Sequence, residues 1–288
     1  MTTSYTRRME RYKRKKLKIK WKNIFVLILF FLSLFGMIVS FKNILNWKKE
    51  SDETEKQIEM IQEIVMPEEI EDEEVTEIIE PEEEINKSNP YWDYIKMNLI
   101  NVDFTSLKEI NSSVVGWIQV NGTNINYPFV QTNNNSYYLK HSFDKSYNTA
   151  GWVFMDYRND VVNFDKNTII YAHGRLDKTM FGTLKNILSS GWLNNKENFV
   201  VKLSTESENT LWQVFSVYVI PTTNDYIQTE FMDNEYFLDW SNMLIERSEY
   251  NFKTSVGEND KILTLSTCYN EDDKVVLHAK LIKSSKRY

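Results

Sequence analysis

Near its C-terminal end the chain reads TLSTCYNEDDKVVLHAK, residues 264–280, an apolar run closing on Cys268, an acidic turn, and a second apolar run opening at Lys274. Two runs rich in Val, Leu and Thr on either side of a short polar turn predict two strands, and the chain's one cysteine stands at the end of the first. A lone cysteine cannot form an intramolecular disulfide, and a metal site needs several Cys or His ligands at short spacing. A buried small hydrophobe is the bland reading of such a residue. The front of the chain bears on the choice.

Residues 1–22 carry about ten Lys and Arg against the single acidic Glu10, and NIFVLILFFLSLFGMIVSF, residues 23–41, follows with no charge. A run of about 19 such residues crosses roughly 30 Å of hydrocarbon as a helix. A cleavable signal peptide is the rival reading, but the apolar run is long and no small-x-small site follows it. With the basic tail in front, the positive-inside rule places residues 1–22 in the cytoplasm and everything after residue 41 outside, as a single-pass membrane protein. A free thiol on that side meets oxidants and is seldom kept for packing alone, which favours a reactive cysteine.

From Glu50 to Glu84 there are about 17 Asp and Glu against Lys56 alone, broken by Pro67 and Pro81, so residues 42–88 read as an extended, partly helical stalk. Ile58, Ile61, Ile64 and Val65 have helical spacing within it, the mark of a partner-binding helix on the alternative reading. The tail (about +9) and the stalk (about −12) largely offset each other, leaving roughly −4 for residues 89–288 and no basic face that would recruit nucleic acid.

Residues 89–288 are long enough for one domain with a proper core. Eight short runs rich in Val, Ile, Tyr and Phe, at 114–120, 125–131, 151–156, 167–172, 198–203, 211–220, 261–267 and 274–282, predict a mainly β barrel or sandwich. Phe237, Trp240, Met243 and Leu244 have helical spacing behind Asp233 as N-cap, and a short helix after Asn89 is expected to turn Trp92, Ile95 and Leu99 inward. A nucleophilic thiol needs a proton partner and an oxyanion stabiliser. Of the three histidines, His173 ends an apolar strand and enters a loop, whereas His278 lies within a strand and His141 in a polar segment, both structural settings.

Here the sequence resembles a family. TLSTC, a short turn and KVVLHAKL look like the sortase signature, and GWIQVNGTNINYPFVQ, YYLKHSFDKS, GWVFMDYRND and IIYAHGRLDKTMFGTL are similar to successive blocks of class B sortases in the same order, over roughly residues 90–283. The resemblance implies a closed barrel of about eight strands with peripheral helices. It also implies a cysteine transpeptidase with no metal or organic cofactor. Cys268 would attack a sorting signal of the NPxTx kind on a secreted protein, and His173 would serve the leaving and incoming amines. The amine acceptor would be peptidoglycan or its lipid-linked precursor. Ser266, Thr267 and Arg175 would fall on the substrate side. One departure stands out: the family's catalytic arginine is replaced by Lys274, which carries charge without the planar fork of a guanidinium. Arg175, two residues beyond His173, and Arg158 in MDYRND are the alternative cations for that role. A non-catalytic surface binding protein with a sortase-like barrel and a hydrolytic cysteine peptidase are the alternatives.

Overall fold

The computed structural model describes residues 20–70, 77–79 and 90–287. The basic tail up to residue 19 and most of the acidic stretch 71–89 lie outside the described residues. Eight strands close into a barrel in the order β10 (Ile262–Cys268), β7 (Asn167–Tyr171), β6 (Phe154–Met155), β5 (Asn126–Val130), β4 (Val114–Val120), β8 (Val200–Thr205), β9 (Glu208–Pro221) and β11 (Asp273–Lys286), with β11 pairing back onto β10. Each of the eight expected runs supplies one strand. The barrel is mixed: β10 with β7 and β5 with β6 are parallel, the other pairs antiparallel. Closure leaves the central strands no free edge, and the short strand β2 (Glu77–Ile78) covers part of β11. Outside the barrel, β1 (Glu68–Ile70) pairs with β3 (Leu99–Asn101).

Alternation along the strands sorts two cores. Leu263, Leu265, Val275, Leu277 and Ala279 join the barrel interior with Trp117, Phe129 and Trp212, whereas Ile262 and Val276 face outward onto Phe237, Trp240 and Leu244. Those last three belong to the helix Asn234–Glu246, where the Asp233 side chain accepts the Tyr236 amide at 2.8 Å and so caps the first turn. The helix after Asn89 is shorter than the sequence suggests. It spans only Tyr91–Tyr94, buries Tyr91 and Tyr94, leaves Trp92 about a third exposed (37%), and gives the buried Leu99 to β3, with Ile95 packed on the core as expected.

The N-terminal helix α1 runs Trp21–Ile64 and contains the apolar stretch, the one helix among the described residues that is long and apolar enough to cross a membrane. Two compact units divide at Lys49, so the turns from Glu50 onward belong with the barrel. Residues 42–64, read from charge as a stalk, are therefore helical throughout. The helical spacing of Ile61 and Val65 proves to be intramolecular: both are buried in the core, and Ile58 packs beside them. Net charge predicts solvation, but apolar side chains about a turn apart suffice to bury one face of an otherwise acidic helix.

His278 is fully enclosed, its Nδ1 2.9 Å from the Thr264 hydroxyl and its Nε2 2.8 Å from that of Tyr218. Burial, assisted by the Arg247 charge, pushes its pKa down to about 3. The unfolded chain takes up this proton near pH 6.5, so stability is intact above that value and falls with pH toward about 3, by up to about 1.4 kcal/mol per pH unit. Denaturant unfolding at pH 7.0 and 4.5 is expected to show a shallower acid loss for His278→Gln than for wild type. Equal slopes would show that His278 does not set the acid sensitivity.

Candidate active site

The strand–turn–strand stretch around Cys268 folds as a hairpin and builds one half of the site. Antiparallel register sets Cys268 directly opposite Lys274, and opposite residues share a face of the sheet. The Lys274 ammonium accordingly donates to Cys268 Sγ at 3.0 Å. Cys268 is half-buried, and its face is the outward one.

The other half comes from β7. Its parallel register aligns Ser266 with Tyr171, and two further residues along both strands bring position 173 level with position 268. The Thr267 hydroxyl ties the strand ends together by donating to the Ala172 carbonyl at 2.7 Å. Beyond it, Gly174 passes so close that a Cβ there would sit 2.3 Å from the Cys268 carbonyl oxygen. Backbone cannot yield as a flexible side chain does. Gly174→Ala is expected to pry β7 from β10, costing about 1–3 kcal/mol as overpacking does, and to lower turnover at least tenfold. Thermal unfolding and a peptide-cleavage assay read the two effects.

His173 Nε2 lies 2.9 Å from the Leu139 carbonyl. A carbonyl only accepts, so Nε2 carries a proton there. No hydrogen bond joins His173 to Cys268 in this arrangement; the thiol's polar neighbour is Lys274.

The remaining candidates are placed as follows. Ser266 is buried with its Oγ 2.9 Å from the hydroxyl of Tyr226, in the loop after β9. Thr267 is buried on the opposite, inward face. Arg175 is held on Asp177 by its Nε at 3.0 Å and its terminal nitrogen at 2.6 Å. Burial works to raise the Asp177 pKa, but hydrogen bonds from Arg175, Ser51 and Thr179 outweigh it and hold the carboxyl well below the ordinary range. Arg158 is clamped on the fully buried Asp156 through two bonds of 2.9 and 2.8 Å, and its second nitrogen reaches the Ile227 carbonyl at 3.0 Å. Both arginines are thus engaged by carboxylates, and Lys274 is the cation that meets the sulfur. His141 stacks on Tyr137 with ring centroids 4.0 Å apart.

Sequence reasoning missed Tyr226 and the Leu139 carbonyl. The first lies about forty residues before its partner Ser266, and the second is a backbone atom that no residue type advertises. Among the described residues no group of three or more His, Cys, Asp or Glu converges as metal ligands do.

A thiol, an imidazole and an ammonium gathered at neighbouring strand ends of a closed barrel make a layout suited to cysteine-dependent acyl transfer. The sortase domain family matches residues 118–282. Sortase B of Staphylococcus aureus (strain NCTC 8325) is 35% identical over 190 residues, covering 65% of this chain and 77% of that protein. A solved S. aureus sortase B–substrate complex is similar at a TM-score of 0.59 and 35% identity, over 62% of this chain and 84% of the other. A sortase B structure complexed with triglycine matches at 0.59 and 34%, over 62% and 85%. The chain belongs to the sortase family. It is a sortase B homologue, a cysteine transpeptidase.

Proposed function

We propose that this transpeptidase is anchored in the cell membrane by residues 23–41, with residues 1–22 cytoplasmic and the catalytic domain outside, and that it attaches secreted proteins bearing an NPxTx-like sorting signal to peptidoglycan or its lipid-linked precursor. The observation that carries the reading is the contact of 3.0 Å between Lys274 Nζ and Cys268 Sγ, at a strand end made level with His173 by the β10–β7 register. The Cys268 thiolate attacks the signal's Thr carbonyl, a C–S bond forms, and the C–N bond to the following residue breaks as the His173 imidazolium gives its proton to the departing amine. An acceptor amine then loses a proton to His173 and attacks the thioester, breaking the C–S bond, releasing the thiolate and forming a new amide. Lys274 faces the carbonyl oxygen while it bears negative charge. That the related sortase B structures hold a substrate and triglycine supports a peptide signal and an amine acceptor.

Mass spectrometry of the enzyme incubated with a panel of sorting peptides tests the signal: a thioacyl adduct on Cys268 with NPxTx peptides alone is expected, and adducts with another motif would replace it. Adding an amine acceptor should convert the adduct into an amide. Release of free acid at the same rate with and without the amine would favour a hydrolytic peptidase. Protease applied to intact, wall-stripped cells should remove the catalytic domain, and its full protection would sink the topology.

A further inference from the structure

Glu50, Ser51 and Thr54 lie on one face of α1, one turn apart. That face meets two loops that touch His173. On the loop before β6, the Thr149 hydroxyl donates to the Glu50 carboxylate, and the Asn148 amide donates to the Glu50 carbonyl at 3.1 Å and to the Thr54 hydroxyl at 3.2 Å. Asn148 in turn shapes the next residues, its side-chain oxygen accepting the Ala150 amide at 2.8 Å and its carbonyl the Gly151 amide at 3.1 Å. Gly151 is left at φ +63°, so close to the imidazole that a Cβ would stand 3.1 Å from His173 Cδ2. On the following loop, the Ser51 hydroxyl donates to Asp177, whose carboxylate also receives Arg175 and the Thr179 amide and hydroxyl. That loop leaves His173 through Gly174 and returns to it, the Phe181 amide donating to the His173 carbonyl at 3.1 Å.

Apolar burial alone does not account for this. Ile61 and Val65 already dock the helix two to three turns further on. The 50–54 face instead offers polar groups matched one by one to two loops that both touch His173, and Thr54 is fully buried in doing so. The Thr54 hydroxyl also donates within the helix to the Glu50 carbonyl at 2.8 Å, but the buried Asn148 amide takes its acceptors from this face and would be costly to leave without them, so the match fixes a geometry rather than merely tolerating one. We propose that Glu50, Ser51 and Thr54 are positioning residues that hold the His173 imidazole in its working orientation. The turns of α1 from Glu50 onward are by this inference part of the catalytic architecture. Its consequence for rate rests on the role given above to His173; its consequence for the ring does not.

The test uses the full-length enzyme in detergent micelles with ¹⁵N-labelled histidine, the three histidines giving three ring-nitrogen sets in which His141 and His278 serve as internal references. In the double variant Ser51→Ala, Thr54→Val, the His173 ring signals should move and kcat for peptide cleavage should fall about tenfold with KM within about twofold, as misplacement of a reacting group predicts. Ser51→Thr with Thr54→Ser should restore both, and the exposed Glu55→Ala should alter neither. Should Thr54→Val compromise folding, Ser51→Ala alone gives the same reading through Asp177. Unmoved His173 signals in a folded variant overturn the proposal whatever the rate does. Moved signals with unchanged kcat uphold the positioning and remove His173 from the chemistry.

Discussion

Replacing Cys268 by Ala should lower peptide cleavage by about four to six orders of magnitude, and His173→Ala should cost nearly as much. Nucleophile and proton carrier act as one unit, so losing either leaves only what binding and charge can do. The structure sharpens the contrast with the other histidines. His278 is walled in by Thr264 and Tyr218, and His141 is stacked on Tyr137, so His278→Ala and His141→Ala should reduce stability while the folded fraction keeps its turnover. Single-turnover assays at equal folded concentration separate the two behaviours. A His173→Ala enzyme within tenfold of wild type would mean that the proton is carried by another group, and Tyr226, bonded to Ser266 beside the hairpin, would be the next to examine.

The second large effect concerns Lys274. Attack by sulfur places negative charge on the substrate's carbonyl oxygen, and one well-placed donor there is worth roughly 3 to 4 kcal/mol, on the order of a hundred- to a thousandfold in rate. Arg175 is committed to Asp177 and Arg158 to Asp156 and the Ile227 carbonyl, whereas the Lys274 ammonium already rests on Cys268. Lys274→Ala should therefore lose most of that factor, and Lys274→Arg, which adds a planar pair of donors, should match or exceed wild type. Arg175→Ala and Arg158→Ala should act through loop order and stability instead. Cleavage rates of the four variants on one peptide decide the matter, because a silent Lys274→Ala beside a crippled arginine variant would transfer the role. If all three alanine variants stay within a few-fold of wild type, backbone amides near Cys268 must hold the oxyanion.

Much of this was legible in the chain because strand periodicity and hairpin punctuation are local signals. The eight runs of β-branched and aromatic residues each became a strand, and the hairpin that brings Cys268 opposite Lys274 follows from a single polar turn. What escaped is what only tertiary contact creates. Nothing local announces that β10 and β7 run parallel, though that register is what brings His173 level with the thiol. Arg175 reads as a candidate cation for the site until Asp177 is seen beside it. The acidic composition of residues 50–65 masked Ile61 and Val65, whose spacing was noticed but whose core is assembled from segments that lie far along the chain. Thr54, a polar residue in a charged run, gave no sign of being buried at all.

The connection between β10 and β11 runs only from Tyr269 to Asp272. Because the two strands pair residue by residue from its ends, the separation of sulfur and ammonium is encoded in the length of a turn more than in the identity of anything within it. One added residue taken up in the pairing would carry the lysine to the opposite face of the sheet, whereas two would return it to the same face one step displaced. Loop length is thus a heritable chemical variable here.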